Sequence, residues 1–269
     1  MKYIITGHKG QIGREMKKQL DLLGWKYVWA LDKKDGIWGY DSVGLYNHNR
    51  KADIFIHCAA NCKINKIIKN PHEAFENTQG VYEALEYCRR NKIKRFVFFS
   101  STRVLHREKN PYTASKIYGE ELCEAYRQCY GIDYIIIRPS TVYGGRDETG
   151  RLMSIWIDNA RKNKDLVIYG DRKKILSFTY ISDFIVGVIY AVFKGRKNRA
   201  YNISSKPIKL YKVAKEIIKQ TNSKSKIVFK DEEIAQPQRA IVNSWRVRFL
   251  GWKPYINIKE GIRKTLKNG

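Results

Sequence analysis

Three glycines, Gly7, Gly10 and Gly13, fall in the segment ITGHKGQIG. A short apolar stretch, 3–6, precedes them. The stretch 11–23 follows, with Ile12, Met16, Leu20 and Leu23 on one face and Gly24 behind them. That spacing predicts a helix. In a strand-to-helix turn, one glycine permits the tight bend, one lets a pyrophosphate approach the backbone, and one lets the helix pack close to the sheet. The helix start then presents free N–H groups to an anion. A bare glycine triplet also fits a plain tight turn, but its place on the first strand–helix junction of an alternating chain favours a dinucleotide cradle.

The alternation continues. Strands are expected at 27–31, 53–57, 95–99 and 134–137. Asn70-Pro71 and Asn110-Pro111 each read as an N-cap followed by proline at the first helical position, opening helices to about 91 and to Gly131. Further on, helices are expected at 152–162, 184–193, 210–220 and 258–266, and strands at 166–169 and 200–203. The expected fold is α/β: a Rossmann-like, doubly wound parallel sheet with a smaller C-terminal α/β substrate-binding lobe. The expected division is 1–150 for dinucleotide binding and 151–269 for the smaller lobe, partly interleaved with the first.

Asp32 ends the second strand, about 20 residues beyond the glycines, where a carboxylate can accept hydrogen bonds from an adenosine ribose. A carboxylate there repels a 2′-phosphate, which favours NAD over NADP. Lys33 and Lys34 pull the other way, and Asp32 also fits an ordinary strand-end turn. Tyr112 and Lys116 stand four apart at the start of the 110–131 helix, on one face. An ammonium and a helix N-terminus both favour a phenolate, and a phenol so tuned can exchange a proton with a hydroxyl. Ser101, just past the 95–99 strand, can reach the same oxygen. Alone, such a Tyr–Lys pair reads as solvated surface. The order of glycine turn, acidic strand end, Ser, Tyr and Lys is what makes it a candidate site.

The chain has 269 residues, 43% hydrophobic and 13% aromatic, which is enough for a core. The longest apolar run, 184–193, is half of the roughly 20 residues a membrane helix needs. MKYIIT does not resemble a signal peptide, so no membrane and a cytoplasmic location are expected. Lys and Arg number 52 against 26 Asp and Glu, a net charge of +26. Such a surplus attracts polyanions, but it is spread along the chain, so nucleic acid is not expected as a partner. The five cysteines include no C-x-x-C, and neither metal nor disulfide is expected. Cys88, Cys123 and Cys129 fall in helical patterns as small buried hydrophobes.

Over nearly its whole length the sequence resembles the extended short-chain dehydrogenase/reductases, in particular the NAD-dependent nucleotide-sugar epimerase/dehydratase group. Gly7, Gly10 and Gly13 match its glycine motif, and DIFIHCAA, with His57, Ala59 and Ala60, its cofactor-side strand. Asn77 and Gly80 match its NxxG helix. FFSSTRV places Ser101 at the catalytic Ser/Thr position, and PYTASKIYGE places Tyr112 and Lys116 at the catalytic pair. RPSTVYG, from Arg138 to Gly144, matches the segment passing the nicotinamide. FTYISD, FLGWKP and KEGIRKT resemble later segments. The resemblance implies NAD contacts from Gly7, Gly10, Gln11, Ile12, Gly13, Asp32, Ala59, Ala60, Asn77, Tyr112, Lys116 and Pro139. It implies substrate contacts from Ser101, Thr102, Thr141 and Arg239, and a homodimer.

Departures from the family pattern narrow the reaction. Leu176 stands where many relatives have a diphosphate-binding Arg, with Lys174 or Arg172 as substitutes and Arg239 as phosphate anchor. Thr141 replaces an Asn. The spans from Asp32 to Asp53 and from Ser101 to Tyr112 are short, implying an open adenine pocket and an altered substrate wall. Sugar 4,6-dehydratases carry Asp and Glu where this chain has Thr102 and Arg103, and Arg103 cannot act as an acid. The expected reaction is epimerisation, at C4, of a nucleoside-diphosphate sugar through a 4-keto intermediate. A 4-keto-sugar reductase is the alternative, and a non-catalytic cofactor-sensing or RNA-binding relative a second.

Overall fold

A computed structural model describes residues 1–32, 50–145, 147 and 150–268. Lys33 and Lys34 lie outside the described residues. In chain order the elements begin with β1 (Lys2–Thr6), α1 (Gln11–Leu22), β2 (Lys26–Leu31), β3 (Ile54–His57), α2 (Ile64–Lys69), α3 (His72–Arg90), β4 (Arg95–Phe99) and a 3-10 turn (Thr102–Leu105). Then follow α4 (Pro111–Tyr130), β5 (Asp133–Pro139), β6 (Thr141–Tyr143), α5 (Leu152–Arg161), β7 (Leu166–Tyr169), β8 (Ile175–Tyr180) and α6 (Ile181–Lys194). The chain closes with β9 (Arg199–Ile203), β10 (Pro207–Lys209), α7 (Leu210–Thr221), β11 (Ile227–Lys230), α8 (Trp245–Phe249) and α9 (Ile258–Asn268).

The main sheet has six parallel strands in the order β2-β1-β3-β4-β5-β9. Strand order reverses between β1 and β3, and a crevice at such a reversal is where open α/β sheets bind ligands. Side chains alternate across the sheet with period two. Tyr3, Ile5, Ile54, Ile56, Val97 and Phe99 join a core with Met16 and Leu20 of α1 and Phe184 and Val188 of α6. Ile4, Phe55, Phe96 and Phe98 face the other way, onto Val81, Leu85 and Cys88 of α3 and Cys123 and Tyr126 of α4. Two smaller sheets, β10-β8-β6 and β11-β7, carry the later chain.

The two Asn-Pro dipeptides part ways. The Asn110 side chain accepts from the Thr113 N–H at 3.0 Å, Pro111 opens α4, and Gly131 ends it at φ +66°. Asn70 instead terminates the unforeseen α2, and Pro71 itself stands at the start of α3 with no side-chain cap. The expected cap at Asn70 is therefore corrected. The expectations for Leu23 and Cys129 are corrected as well: both are exposed, beyond or at the rim of their helices.

Candidate active site

The glycine turn closes against the β3 end. Gly7 has φ +72°, and a Cβ there would meet the Ala59 N at 2.6 Å. A Cβ on Gly13 would meet the Gly7 carbonyl oxygen at 2.1 Å, so α1 seats directly on the turn. Gly10 precedes α1 without a side-chain cap, and its first turn holds no acidic residue. A helix start of this kind is suited to an anion. Asp32, buried at the end of β2, accepts from the Lys9 N–H at 2.9 Å and so stands beside the same turn. Gln11 is buried, its Nε2 donating to the Gly144 carbonyl at 2.7 Å while its Oε1 has no partner among the described residues. Ile12 packs on the core.

Beyond β3, Ala59 is buried and its N–H lies 3.4 Å from Thr6 Oγ1. Asn77 of α3 clamps this loop: its Oδ1 accepts from the Asn61 N–H at 2.7 Å and its Nδ2 donates to the Asn61 carbonyl at 2.9 Å. Both polar ends of Asn77 thus hold the loop that follows Ala60. His57 is fully buried, and burial with the nearby Lys116 charge pushes its pKa down to about 3, so the ring is neutral.

Ser101, Tyr112 and Lys116 are all buried at the β4 end of the sheet. Gly119 makes this possible, because a Cβ there would lie 2.3 Å from the Phe98 ring. Lys116 Nζ donates to the Phe99 carbonyl at 2.9 Å and lies 5.8 Å from the Tyr112 ring centroid. The expected lowering of the Tyr112 pKa is corrected: burial pushes the phenol up to about 12. Ser101, Arg103 and Arg151 pull it down only in part. Burial likewise brings Lys116 down to about 8. The sequence spacing predicts the pair but not its desolvation.

That desolvation has a testable sign. Lys116 is depressed from 10.5 to about 8 in the fold. The unfolded chain therefore holds the proton more tightly, and stability rises with pH between those values. Urea denaturation of cofactor-free protein at pH 7 and pH 10 should show wild type gaining about 2 kcal/mol relative to Lys116→Met. An unchanged gap would contradict a buried, depressed Lys116.

The other expected contact residues lie as follows. The Thr102 hydroxyl is spent on the Pro139 carbonyl at 3.1 Å. Thr141 opens β6 beside β8. Arg138 pairs with Glu120, whose carboxylate also accepts from Ser100. Glu120 thus ties β4, α4 and β5 together beneath the site; its only sequence signal is its place one turn after Lys116. Lys174 is buried, donating to the Tyr169 carbonyl at 2.6 Å, with Glu233 3.6 Å away. Arg172 is exposed and lies over the Tyr211 ring. Arg239 is exposed on a strip that bridges Ile175.

A glycine turn at the sheet reversal and a buried Ser–Tyr–Lys set beyond it define a dinucleotide-dependent enzyme of the short-chain dehydrogenase/reductase kind. Residues 3–204 match the model of the NAD dependent epimerase/dehydratase family, and the chain belongs to that family. It is 30% identical over 236 residues to a Methanocaldococcus jannaschii protein named "Putative UDP-glucose 4-epimerase", covering 81% of this chain and 77% of that one. It is 26% identical to the dTDP-D-glucose 4,6-dehydratase of Bos taurus, covering 84% and 70%. Among solved structures, the Thermus thermophilus UDP-glucose 4-epimerase in complex with NAD has a TM-score of 0.89 at 21% identity, covering 100% of this chain and 98% of that one. The residues present fit NAD, through the Gly7–Gly13 cradle, the uncapped α1 start and Asp32.

Asp32 should make NAD bind more tightly than NADP, since a carboxylate beside the ribose repels a 2′-phosphate. Calorimetric titration of both cofactors checks this. Tighter NADP binding would show that basic neighbours dominate.

Among the described residues no helix is long and apolar enough to cross a membrane.

Proposed function

We propose that this chain epimerises a nucleoside-diphosphate sugar at C4, with NAD retained between turnovers. The carrying observation is the burial of Ser101, Tyr112 and Lys116 together at the end of β4; the neighbouring Arg103 cannot serve as the acid that dehydration requires. Bound NAD supplies the hydride acceptor and donor. Ser101 would orient the C4 hydroxyl, and Tyr112 would take its proton and, once the ketone has turned over to present its other face, return one to the C4 oxygen. Lys116, its ammonium held at the Phe99 carbonyl, supports the phenolate. The buried walls exclude water from the ketone stage. Residues 151–269 supply the substrate lobe, with Lys174 and the exposed Arg239 as diphosphate contacts.

The partner is thus a nucleotide sugar, with no nucleic-acid role, in the cytoplasm. A homodimer is supported by Phe75 and Tyr82 of α3 and Tyr118 of α4, all large and exposed.

Heat-denatured protein should release about one NAD per chain, and a panel of UDP-hexoses and UDP-hexuronic acids should contain a pair interconverted with no net change in reduced-cofactor absorbance. Protein free of NAD that inverts no member of the panel would contradict the proposal.

A further inference from the structure

One cation at the site is unused by that reaction. Arg103 lies in the 3-10 turn Thr102–Leu105, and its N–H donates to Ser101 Oγ at 3.2 Å. Its backbone is therefore fixed to the residue that orients the reacting hydroxyl. The side chain runs inward, and its Nη1 is buried with no hydrogen-bond partner among the described residues. Burial holds the guanidinium below its usual pKa, and the groups that oppose this are Tyr112, Glu233 and Glu108. Glu233 is already engaged, 3.6 Å from Lys174 Nζ and accepting from Asn65 Nδ2 at 2.8 Å.

A desolvated donor left unpaired costs stability unless a ligand completes it. The acceptor should be anionic, because burial weakens hydration of the guanidinium while leaving its charge. Two anions are available on a nucleotide sugar: the diphosphate and a carboxylate on the ring. Arg103 is two residues from Ser101, its N–H is bonded to Ser101 Oγ, and its charge acts on the Tyr112 phenol as well as on Lys174, so it is anchored at the reacting end of the substrate and faces toward the proposed diphosphate contacts Lys174 and Arg239. A guanidinium fork matches a carboxylate in two parallel hydrogen bonds.

Resting on the nucleotide-sugar reading above, we infer that Arg103 binds a carboxylate next to the reacting carbon, so that the substrate is a nucleoside-diphosphate hexuronic acid. A neutral hexose would offer only a hydroxymethyl group there and leave the buried donor poorly satisfied. A site built to bond a particular group discriminates strongly against an analogue that lacks it. The Glu-to-Arg exchange relative to dehydratases thus does more than remove an acid: it changes which sugar is accepted.

The test is calorimetric titration of NAD-loaded Tyr112→Phe protein, which does not turn substrate over, with UDP, UDP-glucose and UDP-glucuronic acid. The uronic acid should bind at least about 10-fold more tightly than the hexose. Adding Arg103→Gln should erase that preference and leave UDP affinity unchanged. Equal affinity for the two sugars overturns the inference. So does a loss of UDP affinity in Arg103→Gln as large as the loss for the uronic acid, since that marks a diphosphate contact. The kcat/KM ratio of the two sugars on the unaltered enzyme makes the same test should the variant fail to fold. If UDP and both sugars fail to bind, the nucleotide-sugar reading itself falls; if UDP and UDP-glucose bind without a uronic preference, only the role of Arg103 falls.

Discussion

Tyr112→Phe is expected to lower turnover at least about 100-fold, the range for a lost general base, with NAD content and denaturation midpoint near wild type. The ring of Tyr112 packs with Ile67 and Ala74 in a small apolar cluster, and phenylalanine preserves that packing. Only the phenol oxygen, beside Ser101 and the arginines 103 and 151, is removed. Burial pushes that phenol up to about 12, with Ser101, Arg103 and Arg151 opposing it. Activity of Tyr112→Phe within a few-fold of wild type would remove Tyr112 from the reaction.

Gly13→Ala should be the most damaging small substitution in the glycine turn. The new Cβ would lie 2.1 Å from the Gly7 oxygen, 2.7 Å from the Gly7 carbonyl carbon and 2.9 Å from the His8 Cα, all backbone. No rotamer change relieves such a contact, so α1 must lift from the turn. We expect a loss of about 3 kcal/mol or more and at least a tenfold loss of NAD affinity, because the phosphate cradle is the part displaced. Gly24→Ala is the control: Gly24 has φ +75° but nothing within 4 Å, so it should cost only about 1 kcal/mol and leave NAD binding intact. Urea denaturation and calorimetric titration of both variants check the pair. Equal losses would show that backbone conformation, not close approach, governs the turn.

The contrast between local and long-range determinants explains what was legible in the sequence. Gly7, Gly10 and Gly13, the cap at Asn110 and the period-two strands are local signals, and the strands and α4 lie near their expected places. Asn70-Pro71 carries the same dipeptide as Asn110-Pro111 yet caps nothing, because α2 ends on Asn70 and uses it first. β9 was legible as a strand, but its position as the sixth strand beside β5 depends on pairing across more than sixty residues. Within the site, the order of Ser101, Tyr112 and Lys116 was readable. Their pKa values were not, because desolvation comes from packing around them that no spacing encodes. Likewise, Lys174 turns inward and Arg172 outward within one short turn, a choice set by the Tyr169 carbonyl and the Tyr211 ring.

The central claim is that hydride leaves C4 and returns to the same carbon on the opposite face. It is tested most directly with UDP-glucose and UDP-glucuronic acid carrying deuterium at C4, incubated with the purified enzyme and followed by NMR and mass spectrometry. The account predicts the C4 epimer with deuterium still at C4, approaching equilibrium from either side, and no accumulation of reduced cofactor. Loss of the deuterium to solvent would contradict it, and unaltered sugars together with steady consumption of added reduced cofactor on a 4-keto sugar would contradict it and identify a reductase instead.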